Sequence, residues 1–231
     1  MDTNLIWQSL PQLFSGLMIT IQITGISLVI GLLLAVPVAL MRVSKSKILW
    51  MPSYAFMFYF RGTPLLVQIF LVYYGSGQFQ EILSDMGLWV FFREAYFCAV
   101  LTFILNTAAY TAEILRGAIQ AVPFGEIEAG LSCGMSKATL YRRIILPKAF
   151  RLAWPAYTNE VIFLLQATSL ISIITLMDIT GVARFVAAQT FAFYELFLTA
   201  AVFYLILVYG LLFVFKKIEY RLSAHLRAGE S

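Results

Sequence analysis

Charge is scarce in this sequence. Asp, Glu, Lys and Arg make up 12% of its 231 residues, where a soluble domain carries about 25%. With 61% hydrophobic residues and a mean hydropathy of +0.86, there is too little polar surface to face water, and the implied solvent is a lipid bilayer. Histidine occurs once, as His225 in the C-terminal tail, where a solvated side chain is expected. That excludes a Ser–His protease or a His-rich metal centre at membrane depth. The two cysteines, Cys98 and Cys133, fall in a predicted span and a predicted loop, so two free thiols are expected rather than a disulfide. There is no Walker loop, so ATP is expected to bind elsewhere. The start, "MDTNLIWQSLPQLFSG", lacks a basic n-region and carries Asp2, which argues against a cleavable signal peptide. Low-complexity runs and internal repeats are absent as well. The net charge of +4 is not read as a nucleic-acid patch, and no nucleic-acid partner is expected.

Long apolar runs are what the chain does have. Five are long enough to cross a hydrocarbon core about 30 Å thick: residues 16–41, 54–77, 96–115, 152–177 and 196–215. Twenty Phe and twelve Tyr suit a lipid-facing surface with aromatic belts. Basic residues crowd into alternate connections: Arg42, Lys45 and Lys47 in the first, six between 116 and 151, and four after 215. Only Arg93 and Arg184 lie in the other connections, 78–95 and 178–195, which hold Gly87 and Gly181 as expected breakers, and Arg61 lies within the second run. The positive-inside bias places the N-terminus outside and the C-terminus in the cytoplasm. The expectation is one all-α transmembrane domain over residues 1–231, with residues 116–151 as its longest cytoplasmic loop.

That loop contains "EIEAGLSCGMSKATLYRRIILP", residues 126–147. Ser136 can cap a helix over "SKATLYRRII", whose Leu140, Ile144 and Ile145 form an apolar stripe against a basic face. Gly134 falls where a turn would separate this helix from another one upstream. Physics alone leaves two fates open for such a hairpin, lying on the membrane surface or seating in a groove of a soluble partner. The spacing of Glu128, Ala129, Gly130, Gly134, Ile144, Leu146 and Pro147 resembles the EAA loop of ABC-importer permeases, departing from it only in Gly130 at the second Ala. In that family the loop is the coupling helix that docks on the ATPase. "FRGTPLLVQIFLVYYG" (60–75), "LNTAAYTAEILRGAI" (105–119) and "PAYTNEVIFLLQATSL" (155–170) resemble the polar amino-acid branch. The likeness is greatest to the M-type permease subunit of histidine and lysine/arginine/ornithine importers. It implies a five-helix type I ABC importer permease in a bacterial inner membrane, with no cofactor of its own. It also implies a second permease subunit, paralogue or second copy, an ATPase dimer that binds ATP and Mg, and a periplasmic solute-binding protein.

Ionisable groups at bilayer depth cost a few kcal/mol each and need a partner or a task. Three stand out. Glu160 lies about 13 Å into the fourth run, after Pro155, which can loosen the helix. It is read either as the ligand of a cationic substrate or as half of an ion pair with Arg61 or another helix. By helical geometry Gln166 can share its face, whereas Ser169 cannot unless the helix breaks. Glu113 is three residues before Arg116, an ordinary intrahelical spacing, yet it also falls on one face with Asn106 and Tyr110. Arg61 opens "RGTP", where Gly62 and Pro64 predict an interrupted helix of the sort that builds membrane substrate sites. Arg61, with Thr63 beside it, is read as a substrate carboxylate ligand or as the partner of a bundle carboxylate. Two carboxylates and one guanidinium suit a basic amino acid: arginine, ornithine, lysine or histidine. Another polar amino acid or an opine is the alternative. A secondary transporter is the rival class, disfavoured by the lack of two related halves. The spans contain no Lys and no Asp, which disfavours Ser–Lys and Asp-dyad intramembrane enzymes.

Overall fold

A computed structural model describes residues 3–222. The expectation for His225 lies outside the described residues. Among those residues there are helices and no strands. α1 (Thr3–Arg42) runs forty residues, roughly 60 Å, so it extends well beyond the apolar run 16–41. Its early part still carries apolar side chains for the core, with Leu13 fully buried against Ile179, Val182 and Leu196. An elbow leads to α2 (Lys47–Gly62), which breaks at Thr63–Pro64 before α3 (Leu65–Ser76). The axes on either side of the break differ by 103°. A short 3₁₀ turn, α4 (Gln80–Asp85) and α5 (Trp89–Phe92) then lead into α6 (Ala95–Gln120). Among the described residues, the helices long and apolar enough to cross a membrane number four, or five if the bent pair counts as one span.

α6 is the hub, packing on α1, α2, α3 and α9 (Leu146–Ala167). Its buried side chains are mostly small: Ala99, Ala108, Ala109, Ala112, Thr102, Thr107 and Thr111. Small residues let helix backbones approach closely where lipid offers no hydrophobic drive for association. The buried hydroxyls of Thr20, Thr24 and Thr102 bond to carbonyls one turn back, of Gly16, Thr20 and Cys98. Large apolar side chains point outward instead, among them Leu33, Phe163, Ile206 and Phe213, each at least 62% exposed. A water-soluble protein does not leave so much apolar surface bare.

One connection and one span differ from the sequence reading. Gly181 does not break the chain; it lies in the first turn of α10 (Ile179–Thr190). Asp178, fully buried, caps that helix by accepting from the N–H groups of Thr180 and Gly181, and Tyr204 on α11 (Phe193–Leu222) donates to the same carboxylate at 2.9 Å. Arg184 belongs to this corner too, donating to the carbonyl of Ser172 at 2.6 Å. Pro155 does not break its helix either: α9 (Leu146–Ala167) is continuous through it. The change of geometry comes later, where residues 168–174 tighten into a 3₁₀ helix ending at Thr175 with φ 73°. Gly87, by contrast, does mark a turn, with φ 70°.

Candidate functional site

The break between α2 and α3 follows from Pro64. A residue before proline is pushed to extended backbone, and Thr63 sits at φ −119°, ψ 145°. Breaking a helix at this depth frees carbonyls that no water can reach. Gln68, 2% exposed, answers them. Its Nε2 donates to Phe60 O at 2.8 Å, Thr63 O at 3.0 Å and Thr63 Oγ1 at 2.8 Å. Asn106 on α6 donates in turn to Gln68 Oε1 at 2.9 Å and, at longer range, to Phe60 O. The bend is thus locked by two buried amides. Gln68 was missed by sequence reasoning. It sits in an apolar run, four residues after the proline, and a buried amide there is itself the signal.

The bend forms one wall of a cavity of about 420 Å³ lined by Thr63, Pro64, Asn106, Tyr110, Glu160 and Phe163. Glu160, carried by α9, is only 9% exposed. Among the described residues no Lys or Arg nitrogen forms an ion pair with it; Arg61 pairs with Glu113 instead, at 3.5 Å. Glu113 also takes a two-pronged bond from Arg116 (Nε to Oε2 2.8 Å, Nη2 to Oε1 2.7 Å). Arg61 and Glu113 line a second cavity of about 280 Å³, with Arg42, Tyr54, Phe58 and Gly62. Gly62 of the second cavity precedes Thr63 of the first in the chain, and the Tyr110 ring of the first carries the Arg61 guanidinium 5.6 Å from its centre. Gln166 and Ser169 lie elsewhere, in a groove of about 510 Å³ against Tyr204 and Tyr209 of α11. The 3₁₀ segment brings Ser169 beside Gln166, to whose carbonyl it donates at 2.8 Å. No group of three or more His, Cys, Asp or Glu able to hold a metal occurs among the described residues.

At the opposite end of α6 the basic loop folds as α7 (Phe124–Ser132) and the single turn α8 (Lys137–Leu140). Gly134 joins them at φ 75°, in the left-handed region that glycine enters freely. Ser136 caps α8 through the N–H of Thr139. "YRRII" is a π-helical turn running straight into α9, so Pro147 ends nothing. Proline lacks an N–H and crowds the carbonyl one turn back, and a widened turn relieves both demands. Leu140 and Ile145 are buried with Ala39, Leu115 and Ala149 of the long helices, and Glu126 pairs with Lys148. Gly130 is buried against Leu140: a Cβ there would lie 2.6 Å from Leu140 Cδ1, so a larger residue needs Leu140 to turn aside. Glu128, Ala129 and Arg142 face outward.

The whole chain has known relatives. A nopaline transport system permease of Agrobacterium fabrum C58 is 46% identical over 99% of this chain and 95% of its own length. A histidine/lysine/arginine/ornithine transport system permease of Escherichia coli K12 is 43% identical over 93% of this chain and 90% of its own. A crystal structure of an amino acid ABC transporter with histidines superposes with a TM-score of 0.84 and 31% identity, covering 96% of this chain and 99% of that one. A methionine ABC transporter in an inward-facing conformation shares the fold at TM-score 0.72 and 18% identity, with 96% and 99% covered. Residues 27–224 match the binding-protein-dependent transport system inner membrane component family, and the chain belongs to that family.

Proposed function

We propose that the Glu160 cavity receives the cationic end of an amino-acid substrate on its way through the inner membrane. The observation that carries this is a carboxylate 9% exposed, facing a cavity of about 420 Å³, with no ion-pair partner among the described residues. A charge in that setting is costly unless something completes it. Arg61 takes the substrate carboxylate, and Tyr110 holds its guanidinium in place by a cation–π contact. Asn106 and Thr63 shape the wall, their polar groups being committed to the bend. Arginine, ornithine, lysine and histidine fit this charge pattern, and so do opines built on them, the class transported by the nopaline relative.

As an ABC permease, the chain leaves ATP hydrolysis to a separate subunit and works with a substrate-binding protein. In this reading a second permease subunit faces it across the path, the N-terminus lies outside and residues 126–147 dock on the ATPase. ATP-driven closure there swings the bundle and changes which side reaches Glu160. The test is uptake of labelled arginine, histidine and glutamine into proteoliposomes holding the whole complex, with ATP inside and binding protein outside. Unmodified chain should favour arginine and histidine, and Glu160→Gln should lose them while the complex still assembles. Normal arginine uptake by the variant would remove Glu160 from the substrate site.

A further inference from the structure

Positive charge gathers at the elbow between α1 and α2 with nothing to meet it. Between Thr3 and Gln80 the sequence has no Asp or Glu, yet it sets Arg42, Lys45 and Lys47 close together where the first long apolar run ends. Among the described residues none of these three joins an ion pair, and Arg61, the other cation of that stretch, is taken by Glu113. The Arg42 guanidinium lies by rings instead, 4.6 Å from the Trp50 centre and 4.9 Å from that of Tyr54, and its buried Nε has no acceptor. Lys45 and Lys47 are exposed. α2 starts here with no side-chain bond from its Ser46 cap and no acidic residue in its first turn, so the free N–H groups of that turn add to the positive field.

The flank of this cluster is apolar. Ile48, Met51 and Phe58 fall on one face of α2, at helical spacings of three and seven, and are 85%, 60% and 68% exposed. Phe58 and Tyr54 line, with Arg42, the cavity of about 280 Å³. A soluble anion would neutralise the cations and leave that face bare, whereas a lipid supplies both a phosphate and hydrocarbon. We infer that Arg42, Lys45 and Lys47 hold the phosphate of an anionic phospholipid, whose acyl chains run along Ile48, Met51 and Phe58. Ala39, three residues before Arg42, belongs to the same packed cluster as Leu140 and Ile145, so the site lies at the loop end of the bundle. In the orientation proposed above, that is the cytoplasmic leaflet.

The test is native mass spectrometry of the whole complex in detergent, titrated with dioleoyl phosphatidylglycerol or dioleoyl phosphatidylcholine. At about five-fold for each of three cations, phosphatidylglycerol should be retained at about a hundred-fold lower concentration. Arg42→Gln should weaken its retention about five-fold, and Lys45→Gln with Lys47→Gln about twenty-five-fold, with phosphatidylcholine unchanged. Both lysines are exposed, so the lysine variant decides the matter even where Arg42→Gln fails to assemble. Equal retention of the two lipids by the unmodified chain overturns the site, as does a phosphatidylglycerol preference untouched by the lysine variant. Inorganic phosphate brings no acyl chains and should leave the lipid in place at about a hundred-fold excess. Displacement there marks a site for soluble phosphate and overturns the lipid assignment.

Discussion

Replacing Gln68 by leucine keeps the volume nearly constant but removes the amide that serves the bend. The Thr63 carbonyl loses its donor, and Phe60 keeps only the long bond from Asn106. The expected cost is about 1–3 kcal/mol, seen as a lower unfolding temperature in detergent, together with weakened arginine uptake. Uptake and stability equal to the unmodified chain would show that the bend holds without it. The interrupted helix itself was legible, since Gly62 and Pro64 announce it. What closes it was not, because the carbonyls that fall free depend on a 103° bend that no local pattern encodes. Glu160 was legible for a similar reason, as a charge where the bilayer tolerates few. The placement of Gln166 was not: its helical face points to α11, away from the Glu160 cavity.

The EAA-like loop is one element with two faces. Leu140 and Ile145 fasten it to the long helices, and Glu128, Ala129 and Arg142 stay bare. Gly134→Asp puts a side chain at φ 75°, a strain of about 1–2 kcal/mol, and Glu128→Lys reverses a charge on the bare face. Both variants should insert normally yet lose ATP-driven uptake, measured in the same proteoliposomes beside ATP hydrolysis. Normal uptake by both would deny the loop a coupling role. The Ser136 cap and the Gly134 turn could be read from residue type alone. The continuity into α9 could not, because Pro147 reads as a stop signal and becomes harmless only after a π-helical turn. α9, which carries Glu160, begins where the loop ends.

At the scale of the whole molecule, α6 joins the loop at one end to the bend and the Glu160 cavity further along. α10 went unread although its Asp178 cap is local, because Gly181 in its first turn reads as a breaker and what holds it, packing on Leu13 of α1 and Leu196 of α11, is distant in sequence. Cys133, exposed on the loop, offers a direct check of orientation, since Cys98 is buried. A membrane-impermeant maleimide should label Cys133 in inside-out vesicles and spare it in intact spheroplasts. Labelling from the outside would reverse the topology. If Glu160 reads the substrate's positive charge, citrulline, arginine's uncharged near-isostere, isolates that charge. Binding of arginine and citrulline to the purified complex should differ by about ten-fold or more in favour of arginine. In Glu160→Gln the two should bind alike. A preference for arginine that survives the substitution would contradict the account.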